Sequence, residues 1–331
     1  MEPLAVSVVI PTYNRAKGCL ARAIDGALAQ SYAGVTVTVV DDGSTDNTAA
    51  VARRYATEPR FSYIRLGRNL GTAQAKNIGM LCCRYDAITF HDSDDAPHAD
   101  KVLLQVRALG LHGHVADNIL NWEPFGYSAG ESLSVDIAVG AYNLIKMDGS
   151  VHYINKRVSL LDDFFPQLQF PSKTEGDWCL VNCGLFRRSV FERLGGFLDS
   201  IEEDRELRNR TIAAGCIYYF IDQPLLTKIE MGDSLTMQDM TGYRGQVRRR
   251  DREEVWRRVA MNQGGRIGPR VASDTGVCID LSAAKVEEVL NPGNLAFQES
   301  IPATPGTYAA LRGMFSREPA KHKLANRALP G

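Results

Sequence analysis

The sequence predicts an α/β fold, an open and mostly parallel sheet flanked by helices. Three observations carry that prediction. β-branched apolar runs alternate with helical patterns through about the first hundred residues. Three of those runs end in polar segments, Pro11-Thr12-Tyr13-Asn14, Asp41-Asp42-Gly43-Ser44 and Asp92-Ser93-Asp94-Asp95. The composition, 44% hydrophobic and 23% charged, supplies an ample core and an ordinary solvated surface.

The elements follow in order. Val6–Ile10 is a β-branched run closed by Pro11, and so a buried strand with a sharp stop. From Ala16 to Gln30, Leu20, Ile24, Ala27 and Leu28 share one helical face. Val35–Val40 is the second strand, and Ser44-Thr45-Asp46 can cap a helix running to about Tyr55. Phe61–Leu66 is the third strand, with a helix from Gly71 to about Cys83 and a fourth strand at Ile88. After Ala96-Pro97 a helix is expected from His98 to about Leu111. The pattern weakens between Asp117 and Pro171, where Ser134–Val139 and Tyr153–Val158 are candidate strands in a region suited to a variable binding surface. Order returns at Trp178–Arg188. Ser189 is expected to cap a helix that Gly195 ends, and Glu202-Glu203-Asp204 opens another that stops at Gly215.

Parallel strands joined by right-handed crossovers put the three polar strand ends on one edge of the sheet, where ligands of open α/β sheets bind. No G-x-G-x-x-G follows the first strand and no G-x-x-x-x-G-K-[ST] occurs, so a glycine-cradled phosphate is not the logic of this site. Aspartates in its place suggest phosphates neutralised by a metal. Asp92, Asp94 and Asp95 close a core strand with three carboxylates, and unpaired charge beside a low-dielectric core is costly. A hard divalent cation would offset that cost; the plainer alternative is an acidic turn capping the next helix. Asp199, Glu202, Glu203 and Asp204 leave a similar choice between favourable charge at a helix start and a general base. His112-Gly113-His114 reads as an exposed, idle turn.

A formal net charge of −1 gives no reason to expect a nucleic-acid partner. Seven scattered cysteines without a C-x-x-C pair argue against a disulfide scaffold or zinc knuckle and for a reducing, cytoplasmic setting. The start lacks the basic segment of a signal peptide, and no window approaches 18 uninterrupted apolar residues. Arg244–Arg258 carries Arg248, Arg249, Arg250, Arg252, Arg257 and Arg258. It is expected to form a basic helix, either solvated with Asp251, Glu253 and Glu254 or facing the inner surface of a membrane. Residues 262–331 are rich in Gly, Pro and Ala, and the basic end Lys321–Arg327 is expected to be mobile.

With these residues placed, the chain resembles the family-2 inverting glycosyltransferases of the GT-A fold. The matching stretches are Val8–Arg15, Val40–Asp46, Asn69-Leu70-Gly71 with Lys76–Gly79, Asp92–Asp95, Phe186–Phe191 with Gly195-Gly196-Phe197, and Glu203-Asp204. The resemblance implies a Rossmann-like α/β domain with a mainly helical or irregular C-terminal extension. Residues 1–115 would form the nucleotide-sugar-binding half, 116–240 the acceptor-binding half with the base, and 241–331 the extension with the basic helix. It implies a UDP-sugar donor, a glycan or lipid-linked acceptor, and Mn²⁺ or Mg²⁺ on Asp92, Asp94 and Asp95. Pro11, Thr12 and Tyr13 would sit at the nucleoside, with Asp42 accepting from the uracil N–H and Arg15 elsewhere in the donor site. Asp92, Ser93 and Asp94 would face the ribose and diphosphate, and Lys76 is a weaker diphosphate candidate. Asp204 would be the base, with Glu203 the competing assignment.

One departure stands out. Members often carry a histidine before a Ser-x-[ST] segment, but here Lys228–Asp233 precedes Ser234-Leu235-Thr236 with no histidine. Lys228 could meet the diphosphate, or Glu230 or Asp233 the metal. A nucleotidyltransferase on a similar sheet, and a GT-A module that has lost activity, are the alternatives. The missing Gly-rich loop after the first strand weighs against the former, and the intact Asp92, Asp94 and Asp204 against the latter.

Overall fold

The protein was examined as a computed structural model that describes residues 3–113, 119–120, 133–155, 181–232, 234, 237–242, 245–263 and 276–315. The first half runs β1 (Val6–Thr12), α1 (Cys19–Leu28), β2 (Val35–Asp41), α2 (Thr48–Arg53), β3 (Phe61–Leu66), α3 (Thr72–Cys82) and β4 (Ala87–Phe90). β5 (Ala96–Pro97), α4 (Lys101–Leu109), β6 (His112–Gly113), β7 (Ile119–Leu120) and β8 (Leu133–Ser134) follow. Then come β9 (Ile137–Ile145), β10 (Val151–Ile154), β11 (Leu185–Arg187), α5 (Arg188–Leu194), α6 (Glu203–Ala213) and β12 (Tyr218–Ile229). The last elements are α7 (Gln246–Gln263), β13 (Val286–Leu290) and α8 (Pro305–Phe315).

The main sheet has the order β13-β3-β2-β1-β4-β11-β9-β12-β5. β1 pairs in parallel with both β2 and β4, and β2 with β3, as the alternating pattern predicts. The order therefore reverses between β1 and β4, the switch point at which such sheets open a crevice. Beyond β4 the sheet becomes mixed: β11 is antiparallel to β4 and β9, and β12 runs parallel to β9. Alternation along β1 divides the core between the two faces. Val9 packs with α3 and α5 residues on one face, and Val8 and Ile10 with Leu20 and Ile24 of α1 on the other.

Several boundaries differ from expectation. α1 starts three residues late, because Gly18 takes φ 83 ahead of it. The run Ser134–Val139 is split. Asp136 stands between β8 and β9, its carboxylate accepting from Ile217 N–H at 2.8 Å and its carbonyl from Arg187 N–H at 3.0 Å. Ser189 does not cap its helix, which begins at Arg188. Gly195 does end that helix, with φ 73; a Cβ there would lie 1.8 Å from the Val277 carbonyl oxygen, so only glycine fits. β10 covers Val151–Ile154, and the expected continuation to Val158 lies outside the described residues, as do His114 and Lys321–Arg327. β12 is long but carries Asp222-Gln223-Pro224, and its register shifts beside Pro224, which removes a ladder donor. That interruption hid it from a pattern search.

The tail is tied to the first half. β13 pairs antiparallel with β3, and Ala296 and Gln298 donate their N–H groups to the carbonyls of Cys82 and Leu81, both at 2.9 Å. Among the described residues no helix is long and apolar enough to cross a membrane.

Candidate active site

The ends of β1, β2 and β4 open into a cleft of about 950 Å³, closed on the far side by the start of α6, the end of β12 and α7. All of the site residues expected from the sequence line it: Pro11, Thr12, Tyr13, Arg15, Asp42, Lys76, Asp92, Ser93, Asp94, Asp95, Glu203 and Asp204.

The two aspartates ending β2 divide their work. Asp41 is fully buried, its Oδ2 accepting from the Tyr63 hydroxyl at 2.6 Å and its Oδ1 from Ser44 N–H at 2.8 Å. Asp42 turns to the cleft and grips the loop before α3, accepting from Leu70 N–H at 2.7 Å and Gly71 N–H at 2.8 Å. Burial pushes its carboxyl up to about 6; the two N–H donors oppose this and Asp41 adds to it. Asn14, at φ 52, ties the first two strand ends together: its Oδ1 accepts from Thr45 N–H at 2.8 Å and its N–H donates to Ser44 Oγ at 2.9 Å.

Beyond β4 the acidic residues crowd. Burial raises the Asp94 carboxyl and neighbouring Asp92 raises it further, while Arg15 and Lys228 pull it back. Arg15 Nη2 lies 3.6 Å from Asp94 Oδ2. Asp95 is raised well above the usual carboxylate range, by burial and then by Asp92, with Lys228 opposing. Its Oδ1 accepts from Ile229 N–H at 3.4 Å, and its Oδ2 is buried with no hydrogen-bond partner. Unrelieved negative charge of this kind fits a bound cation. Among the described residues no group of three His, Cys, Asp or Glu side chains is arranged to hold a metal alone.

The opposite wall is charge-matched. Lys76, from the middle of α3, is buried and reaches α6. Its Nζ donates to Asp204 Oδ1 at 2.6 Å and to Glu203 Oε1 at 3.0 Å. Burial opposes its charge, but Asp204, Glu203 and Asp92 outweigh burial and raise its pKa. Burial pushes Glu203 up to about 7, against the pull of Lys76.

Sequence reasoning named Glu202 among the acidic residues before α6 but not its pairing with arginines. Glu202 is buried among Arg205 Nε at 2.5 Å, Arg248 Nη1 at 3.1 Å and Arg252 Nη2 at 3.3 Å. Burial would raise its carboxyl, but the three guanidinium groups outweigh that and hold it below its ordinary value. Two of these arginines belong to the basic stretch expected to face solvent or a membrane. Their i, i+4 spacing instead aims them at the loop before α6, and Asp251 beside them accepts from Ser200 Oγ and Ile201 N–H. The spacing was visible; its target, some 46 residues away, was not.

A family model described as Glycosyl transferase family 2 matches residues 7–195. An N-acetylglucosaminyltransferase of Bradyrhizobium diazoefficiens is 40% identical over 113 residues, covering 32% of this chain and 23% of that protein. The succinoglycan biosynthesis protein ExoO of Rhizobium meliloti is 30% identical over 207 residues, 62% of this chain and 50% of that protein. The chain thus spans half or less of the length of these two relatives. Among solved structures, residues 1–349 of S. aureus TarS in complex with UDP-GlcNAc superpose with a TM-score of 0.55 at 16% identity. The match covers 77% of this chain and 65% of that one, and it shows a shared fold, the GT-A architecture.

Proposed function

Because the chain belongs to glycosyl transferase family 2, we propose that it moves a sugar, with inversion, from a UDP-linked donor to a hydroxyl of a glycan or lipid-linked acceptor. The product would enter a surface polysaccharide or glycoconjugate, a reading supported by the similarity to ExoO and to a stretch of the E. coli chondroitin synthase. UDP-GlcNAc is the first donor to test, given an N-acetylglucosaminyltransferase among the relatives and a UDP-GlcNAc complex among the structural neighbours.

The carrying observation is the geometry of Asp204. Its side chain is 34% exposed at the cleft while that of Glu203 is 10% exposed. A base must touch the acceptor, so the accessible carboxylate takes the role. Asp204 accepts the hydroxyl proton as the acceptor oxygen bonds to the anomeric carbon and the bond from that carbon to the UDP oxygen breaks. Attack opposite the leaving group turns an α-linked donor into a β-linked product. On the donor side, Pro11, Thr12 and the exposed Tyr13 flank the base, and Asp42 accepts from its ring N–H. Ser93 faces the ribose, and Arg15 and Lys228 bring positive charge to the diphosphate. Asp92, Asp94 and Asp95 are the candidate ligands for Mn²⁺ or Mg²⁺, of which one or two would hold the ion. A divalent ion bound there neutralises charge on the departing diphosphate.

Asp204→Asn is expected to keep UDP affinity and cut turnover about 10²–10⁴-fold, read as UDP release from UDP-sugars with acceptor present. Wild-type turnover in that variant would remove Asp204 from the chemistry. Arg15 and Lys228 beside the acidic cluster favour one variation, in which the chain's own cations carry much of the diphosphate charge. Equal UDP affinity with and without Mn²⁺ by calorimetry would select it.

A further inference from the structure

The resemblance assigned Lys76 to the diphosphate, but its surroundings describe another task. Lys76 is 1% exposed, and its ammonium lies 5.1 Å from the centroid of the Phe197 ring. Phe197 is itself fixed by the neighbour of Lys76: its N–H donates to Asn77 Oδ1 at 2.8 Å and its carbonyl accepts from Asn77 Nδ2 at 2.9 Å. No slack remains there, since a Cβ on Gly196 would lie 2.3 Å from Asn77 Oδ1. The ammonium is therefore held against a ring on one side and two carboxylates on the other. An ammonium buried to this degree keeps its charge only through its partners.

We propose that Lys76 is the positioning residue of the base, fixing one oxygen of Asp204 so that the other meets the acceptor hydroxyl, and that Glu203 is the second counter-charge of that ammonium rather than an alternative base. This rests on the reading of Asp204 as base. The ammonium contacts two carboxylates, Asp204 and Glu203, and also feels the charge of Asp92. Glu203 is the more deeply buried carboxylate, and burial pushes its carboxyl up against the pull of Lys76. The position of Lys76 in the chain adds a link to the donor side. Asp42 holds Leu70 and Gly71, Gly71 leads into α3, and Lys76 lies about one turn inside that helix. A shift of the donor loop would therefore reach the base through one short rigid element.

The test uses the full chain and UDP release with Mn²⁺ from whichever member of a panel (UDP-GlcNAc, UDP-GalNAc, UDP-Glc, UDP-Gal, UDP-GlcA) turns over fastest. Lys76→Met is expected to lower kcat about 100-fold while the UDP dissociation constant by calorimetry stays within about twofold of wild type. With that counter-charge lost, the acid limb of kcat should move up by about one pH unit or more. Glu203→Gln removes a negative neighbour and keeps an acceptor for Lys76; it should stay active, with the acid limb moved down. Three results would overturn the proposal: UDP binding weakened tenfold or more in Lys76→Met with kcat intact, loss of activity in Glu203→Gln, or an acid limb of kcat unmoved by either change. If Lys76→Met does not fold, Glu203→Gln and Lys76→Arg decide by the same readouts. Failure of Asp204 itself is separable, because Asp204→Asn would then turn over like wild type.

Discussion

On the β4 side of the cleft, Asp92, Asp94 and Asp95 crowd together and two of them are pushed up by burial and by one another. On the α6 side, Glu202 meets three arginines, Glu203 and Asp204 share Lys76, and Glu206 pairs with Arg210 at 2.8 Å. The first wall carries charge that its own side chains relieve only in part, and the second supplies most of its own counter-charge. In the proposed reaction this division has a purpose. The donor wall is completed by what binds to it, whereas the base wall must hold its geometry before any acceptor arrives.

Substitutions on the two walls should therefore fail in different ways. The largest effect is expected from Asp204→Asn, a loss of turnover with UDP binding intact. Next, Asp94→Ala should cut Mn²⁺-assisted UDP affinity by about 100-fold, with an unchanged or slightly raised melting temperature, because it removes a repelled carboxylate. Calorimetry with and without Mn²⁺ and a thermal melt read the two outcomes together, and a large fall in melting temperature would show the donor wall to be as self-supporting as the other. Glu202→Ala should do the reverse, costing about 3 kcal/mol of stability in urea melts because it leaves three guanidinium groups around a vacated site. UDP affinity in that variant should stay near wild type. The smallest effect is expected from Asn77→Ala, about 1–3 kcal/mol, since the Phe197 backbone N–H and carbonyl lose their partners. A loss of turnover in Asn77→Ala larger than its loss of stability implies would strengthen the link from Asn77 through Phe197 and Lys76 to the base.

The donor wall was legible in the sequence because each part of it is local. Pro11–Asn14, Asp41–Ser44 and Asp92–Asp95 each follow directly on a strand whose β-branched run announces it, and parallel pairing alone brings their ends to one edge. The sequence could not say which of Asp41 and Asp42 faces the ligand, because both end the same strand. Tyr63, on the neighbouring strand, claims Asp41. The base wall was legible only at Glu203-Asp204, through resemblance. Lys76 carries no local sign of its partners, which lie 127 and 128 residues further along.

Alternation of apolar runs and the polar residues after them determined the α/β class, the sheet edge that forms the cleft and the acidic cluster on it. Those features depend on periods of two and 3.6 residues and on chain direction, which a linear sequence carries. The tertiary structure decided which charges are neutralised and by what: Lys76 by the two carboxylates opening α6, and Glu202 by the arginines of a helix that composition alone assigned to solvent or a membrane. Ion pairing falls off with distance in space and not along the chain, so only the folded arrangement of α3, α6 and α7 could show that one wall of the cleft carries its own counter-charges while the other relieves its charge only in part.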